Sequence, residues 1–359
     1  MWSNELTEKL GIKYPIIQAP MAGGITTTEL VAAVSNEGAL GMIGAGYMTP
    51  SSLSKQIKAV KEKTRNPFAV NLFVPVPYAA SKGEVEDAYK VLKPYREKLG
   101  LGEEEIAAPE YERDVQTFQD SIEVIVEEEV AICSFTFSLP DQRVIERLKE
   151  AGVVLIGTAT TVEEAKAVEK SGMDMVVVQG SEAGGHRGHF LRKNEESMIG
   201  LMSLIPQAVD HVAIPVIAAG GIADGRGAKA VHVLGGAAVQ IGTAFLTCRE
   251  SGANPAQKEA ILRTGEEQMV MTRAFSGKWA RGIQNQFIHE MSDFQVDVPA
   301  FPIQNALTKD IRRAASQQMN TEYMSLWSGQ SPRMAKEQTV RELIHSITDH
   351  NYFTCTHKR

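Results

Sequence analysis

Short runs of apolar, often β-branched residues recur along the chain, separated by longer stretches in which apolar positions return every three to four residues. The short runs lie at 15–18, 40–43, 68–72, 131–135, 153–157, 175–179, 216–219 and 238–241. Helical periodicity covers 27–36, 51–62, 141–149, 162–170 and 225–234. Thr49 before Pro50, Thr161 and Asp224 stand where helix N-caps belong, because a side-chain oxygen there accepts from a free first-turn N–H. Strand and helix in alternation predict a parallel sheet, since parallel strands need a crossover connection. Runs such as VVVQ, VIAA and AVQIG are apolar at successive positions, so both strand faces are expected to be buried. Eight such units predict an α/β fold, a closed (β/α)8 TIM barrel.

Two regions break this rhythm. Residues 74–129 are rich in charge, contain Pro75, Pro77, Pro94 and Pro109, and read as a helical insertion after the third strand. From 251 onward come a helix near 255–264, an irregular SGKWARG stretch and two polar amphipathic helices. The expected division is therefore a barrel over 1–250 and a lid or second lobe over 251–359. A barrel of roughly 250 residues plus its embellishments accounts for the whole length.

Composition narrows the partners. The formal net charge is -7, and no dense Lys/Arg run offers a face for nucleic acid or an anionic membrane. No apolar leader and no stretch of about 18 apolar residues appears, so a cytoplasmic protein is expected. Cys133, Cys248 and Cys355 are scattered and odd in number, which predicts neither disulfide framework nor catalytic thiol. No His, Cys, Asp and Glu grouping has metal-ligand spacing, and no GxSxG elbow occurs.

Barrel enzymes collect their functional groups at the C-terminal ends of the strands. Those ends read Ala19 through Gly24, then Asn71, then Gln179 through Gly188, then Gly220-Gly221 and finally Gln240-Ile241-Gly242-Thr243. The loops after strands seven and eight form phosphate sites in such barrels, and glycine lets backbone N–H groups approach an anion. Gly220, Gly221, Gly242 and the Thr243 hydroxyl supply that chemistry; tight turns without a ligand are the plainer alternative. Met21 offers a soft apolar platform for a flavin ring, or simple core packing. Asn71 and Gln179 end otherwise apolar strands, so each needs a partner: the polar edge of a flavin, or loop backbone. His186, in a glycine-rich loop, is the catalytic candidate, with His189 as its competitor. Glu182 and Arg187 are near enough in sequence to tune it.

QAPMAGG, NLFVP, SFTF, QGSEAGGHRG, AAGGIADGRG and QIGTAFL, in this order over about 5–330, resemble the class I nitronate monooxygenases, formerly 2-nitropropane dioxygenases. The wider superfamily includes the FMN-dependent enoyl-ACP reductase II and NADH:quinone reductases, but the SEAGGHRG form and the long insertion are more similar to nitronate monooxygenase. The resemblance implies a barrel under a helical lobe, with FMN as cofactor. It implies FMN contacts from Asn71, Gln179, Gly184, Gly221 and 240–243, with Met21 in the first loop and His186 as the catalytic histidine. It further implies small alkyl nitronates, such as propionate 3-nitronate, and O2 as substrates, with a carbonyl compound and nitrite as products. Lys278 and Arg281 in SGKWARG are candidates to hold the anionic nitronate, or else ordinary loop charges. Two alternatives stay open: an NAD(P)H-dependent reductase of an enoyl thioester or quinone, and a non-catalytic flavin-binding sensor. A monomer or homodimer is expected.

Overall fold

The computed structural model describes residues 2–79, 81–102, 108–292 and 298–349. Eleven strands form among them: β1 (Ile16–Gln18), β2 (Gly41–Gly44), β3 (Phe68–Phe73), β4 (Ile132–Thr136), β5 (Val154–Ala159), β6 (Met175–Gln179), β7 (Gly185–His186), β8 (Val216–Ala219), β9 (Ala238–Ile241), β10 (Met269–Thr272) and β11 (Ala280–Ile283). The barrel is one parallel sheet in the order β1-β9-β8-β6-β5-β4-β3-β2. A parallel bridge between Ile17 and Leu40 joins its two ends. The Gln18 N–H donates to the Leu40 carbonyl and the Leu40 N–H to the Ile16 carbonyl, each at 2.9 Å. The eight barrel strands are the eight predicted runs, trimmed or extended by a residue or two.

Alternation along these strands sorts the core into two layers. Met175 and Val177 of β6, Ile217 and Ala219 of β8, and Ala238 of β9 fill the barrel interior. Val176, Val178, Val216, Ala218 and Val239 face the helices. The N-terminal helix Glu5–Leu10, capped by Asn4, adds Leu6 and Leu10 to the interior layer. The surrounding helices start where capping chemistry predicts, with Thr27, Thr49, Asp141, Thr161 and Asp224 each accepting a first-turn N–H.

Packing crosses the expected boundaries at two places. In the insertion, Tyr111–Glu127 buries Phe118, Ile122 and Ile125 in the barrel core, whereas Lys82–Lys98 buries Ala88, Leu92 and Tyr95 in the lobe. The final helix, Val340–Thr348, expected in the lobe, returns Val340, Leu343, Ile344 and Ile347 to the barrel core. Its apolar stripe packs against the barrel helices Thr28–Asn36 and Gly225–Val233 and so returns the chain to the ring. SGKWARG also differs from expectation, because its Ala280-Arg281-Gly282 opens β11. β11 pairs antiparallel with β10 and with β7, so the glycine-rich loop of the barrel is stitched directly to the lobe. Among the described residues, no helix is long and apolar enough to cross a membrane. Cys133 and Cys248 are buried, and desolvation raises both thiol pKa values; Cys355 lies outside the described residues.

Candidate active site

Strand alternation continues to the barrel mouth and decides what faces it. Two residues beyond Ala69, Val177 and Ala238, all interior, stand Asn71, Gln179 and Gln240. All three border a cavity of about 500 Å³ between the mouth and the lobe, within the usual range of ligand sites. Met21, Gly184, His186, Gly220, Gly221, Gly242 and Thr243 line it as well. Ile241 does not: one residue out of phase with Gln240, its side chain is fully buried among the helix-facing core residues. Any ligand contact from Ile241 is left to its backbone.

The glycines fit an anion cradle. Gly220 and Gly221 have φ of 132° and 64°, conformations that L side chains rarely adopt. The Thr243 hydroxyl oxygen accepts the Gly329 N–H at 2.9 Å, which leaves its proton to donate. Ser331 donates to the Gly221 carbonyl at 3.0 Å, and the Gln330 N–H donates to the Glu182 carbonyl at 2.9 Å. A Cβ on Gly184 would lie 2.4 Å from the Gly329 nitrogen, so glycine is required where the lobe segment crosses the loop. At helix Gly225–Val233 the Asp224 carboxylate accepts the Arg226 and Gly227 N–H groups, and neither Asp224 nor Gly225 borders the cavity. The cradle therefore consists of glycine backbone and hydroxyls. Beside it, Gln240 Oε1 is buried without a hydrogen-bond partner among the described residues. A buried acceptor left unpaired costs roughly 1–3 kcal/mol, so this atom calls for a donor such as a heterocyclic N–H. Cradle and orphaned acceptor together suit a mononucleotide.

Asn71 and Gln179 split between the two roles open to them. Asn71 spends both amide protons on Ser134 Oγ (2.9 Å) and Thr136 Oγ1 (3.0 Å), leaving its oxygen as the available group. Gln179 braces the loop: it donates to the His186 carbonyl at 3.0 Å and accepts from the Gly188 N–H at 2.8 Å and from Arg187 at 3.1 Å. Arg187 is fully buried and also donates to the carbonyls of Gly180 (2.6 Å) and Ser197 (2.8 Å). Glu182 accepts the Leu201 N–H at 2.9 Å, capping the next helix. Arg187 and Glu182, expected to tune His186, instead hold the shape of the loop that carries it.

His186 borders the cavity, while His189 lies outside its lining. The His186 ring meets Phe137, Phe301 and Trp327 at centroid distances of 5.9, 6.1 and 5.4 Å. Its Nε2 is 2.8 Å from Ser276 Oγ, which also lies 3.0 Å from the Lys278 carbonyl. Loss of water contact, followed by the charges of Lys278 and Arg312, lowers the His186 pKa to about 3. The imidazole is thus neutral at ordinary pH. Desolvation first, then Lys278, also lowers His189, to about 4.

Lys278 and Arg281, the expected substrate cations, do not line the cavity. Lys278 Nζ sits over the Phe137 ring at 4.9 Å and donates to the His189 carbonyl at 3.3 Å. Arg281 clamps the Ser181 carbonyl with two hydrogen bonds of 3.1 and 2.8 Å. Strand pairing of Arg281 with Gly185 directs it to this structural task. The cavity instead contains residues that the sequence pattern did not single out: Tyr47, Ser276, Arg312, Trp327, Gly329 and Ser331. The polar SGQSP run after Trp327 was the one available signal, but it resembles any surface turn.

The family model described as nitronate monooxygenase matches residues 3–350. Proteins named "Probable nitronate monooxygenase" from Staphylococcus haemolyticus and Staphylococcus aureus are each 51% identical to this chain, covering 97% of it and 97% of their own length. Nitroalkane oxidase from Streptomyces ansochromogenes superposes with a TM-score of 0.87 at 39% identity, covering 95% of this chain and 96% of its own. FabK from Thermotoga maritima gives 0.76 at 31% identity, covering 97% and 95%. This chain is an oxidoreductase of the nitronate monooxygenase family.

Proposed function

We propose that this enzyme is an FMN-dependent monooxygenase that converts alkyl nitronates, such as propionate 3-nitronate, and O2 to a carbonyl compound and nitrite. The observation that carries this reading is one cavity with two chemistries: a glycine and hydroxyl cradle at the ends of β8 and β9, and a neutral histidine at β7. Bound FMN would supply the electron-transfer and oxygen chemistry. Gly220, Gly221, Gly242 and Thr243 would hold its phosphate, Gln240 Oε1 a ring N–H, and Met21 and Asn71 the adjoining ring surface.

The protein's own part centres on His186. Nε2 is engaged with Ser276, and Nδ1 has no protein partner among the described residues. Ser276 Oγ donates its one proton to the Lys278 carbonyl, which favours the tautomer with Nε2 protonated; turning that hydroxyl towards Nε2 would give the other. With Nε2 protonated, the Nδ1 lone pair takes the α-proton of a neutral nitroalkane. With Nδ1 protonated, it donates to a nitronate oxygen and orients the substrate. The aromatic walls exclude water from this exchange.

The test is oxygen uptake with ethyl nitronate and propionate 3-nitronate, beside NADH and NADPH oxidation with a quinone and an enoyl thioester. The expected result is oxygen uptake with nitrite release, background nicotinamide oxidation, and FMN rather than FAD in the denatured supernatant. Rapid NADH oxidation without nitronate turnover would favour the second reading, a reductase on the same fold, which draws on the likeness to FabK.

A further inference from the structure

Among the described residues, Arg312 is a charged group without a counter-charge. It lies on the lobe helix Lys309–Gln317, whose Ile311, Ala314 and Ala315 anchor it in the lobe core. The next residue, Arg313, pairs with Asp310 at 2.9 Å in the ordinary way. Arg312 instead donates to three neutral acceptors: Thr308 Oγ1 at 3.2 Å, the Asn305 carbonyl at 2.7 Å and Asn305 Oδ1 at 2.9 Å. These bonds use Nε and Nη2. Among the described residues, Nη1 has no acceptor and no carboxylate lies within ion-pair distance. A partly desolvated guanidinium is costly in such a setting, and its residue borders the cavity. Tyr47 borders the same cavity, edge-on to Phe73 at 5.3 Å, and its hydroxyl has no hydrogen-bond partner among the described residues. Tyr47 is 44% exposed, and its phenol is a proton donor at neutral pH.

We infer that Arg312, with Tyr47 in the same cavity, is the residue that recognises an oxyanion of the substrate. A rigid fork with an unused N–H edge suits a planar oxyanion, whether a nitronate group or a carboxylate elsewhere on the substrate. The assignment replaces Lys278 and Arg281, which lie outside the cavity lining and donate to the His189 and Ser181 carbonyls. Arg312 also acts electrostatically on His186, so an anion held there lies within range of the reacting centre. The substrate part of this inference rests on the proposed nitronate chemistry.

The experiment compares wild type with Arg312→Met and Arg312→Lys on ethyl nitronate, which carries one anionic group, and propionate 3-nitronate, which carries two. Removing a hydrogen bond to a charged group should lower kcat/KM about 10- to 100-fold, through KM, with Lys restoring part of the loss. A loss on both substrates assigns the nitronate group to Arg312; a loss confined to propionate 3-nitronate assigns the carboxylate. Binding of nitrate and butanoate, read from tryptophan emission with Trp327 in the cavity wall, should weaken in parallel. Unchanged kinetics and unchanged anion binding in folded Arg312→Met, or in folded Arg312→Gln should Met fail to fold, would overturn the inference. So would loss of FMN from either variant, which would make Arg312 a cofactor contact. If wild type oxidises no nitronate, the proposed function fails, while the nitrate and butanoate titrations still decide the role of Arg312.

Discussion

The barrel mouth and the lobe supply the same cavity by different routes. The mouth delivers Asn71, Gln179 and Gln240 through strand alternation, each two residues beyond an interior apolar position. The lobe delivers Ser276, Arg312, Trp327 and Gly329 from loops and a helix whose placement depends on packing. The mouth is a rigid scaffold decorated at fixed phase, and one residue out of phase, as at Ile241, turns a side chain out of the site. The lobe carries the groups that contact His186 and close over the cradle: Ser276 at Nε2, Gly329 at Thr243 and Ser331 at Gly221. Cofactor binding should therefore fail when the mouth is altered, and substrate handling when the lobe is.

The largest effect is expected at the mouth. Gly221→Asp puts a side chain at φ of 64° and a carboxylate in the cradle, so the purified protein should lose its flavin and all turnover. Full FMN occupancy in that variant would move the phosphate site elsewhere. On the lobe side, Ser276→Ala removes the 2.8 Å contact to His186 and should lower kcat/KM roughly tenfold with flavin content unchanged. Loss of flavin in this variant would erase the distinction between the two regions.

The smallest effect concerns stability. His186 and His189 have folded pKa values near 3 and 4, against an ordinary value of 6.5. The unfolded chain therefore binds more protons at mildly acid pH. Their contribution is fully present above about pH 6.5 and is lost progressively as the pH falls toward the folded values. Denaturant midpoints measured from pH 7.5 to 5 should fall, and the fall should be shallower in His186→Asn. An equally steep decline in that variant would mean His186 is not held neutral.

Much of this was legible in the sequence, for a physical reason. Continuous apolar runs broken near their ends by Asn71, Gln179 and Gln240 announce both the barrel and its mouth, because the composition of a strand is local. Paired glycines at Gly220-Gly221 announce positive φ for the same reason. The lobe left weaker marks. β11 was hidden in SGKWARG because Ala280–Ile283 contains Arg281 and Gly282 in place of a β-branched run, and its pairing with β10 and β7 is set by tertiary context. Lys278 and Arg281 stand out in the sequence as charges, but only the fold places them outside the cavity lining, with Arg312 on it instead. Arg187 and Glu182 likewise tune His186 less than they shape its loop.

The central claim is that His186, at the seam between barrel and lobe, handles the substrate. The direct measurement is kcat/KM for wild type, His186→Asn and His189→Asn, each normalised to bound flavin, on a neutral nitroalkane and on its preformed nitronate. A general base contributes about 10²–10⁴-fold, so His186→Asn should lose at least about a hundredfold on the neutral form. The loss on the nitronate should be smaller, because its α-proton is already gone and only positioning remains. His189→Asn should stay close to wild type on both. A large defect in His189→Asn with His186→Asn unaffected, or no defect in either, would contradict the account.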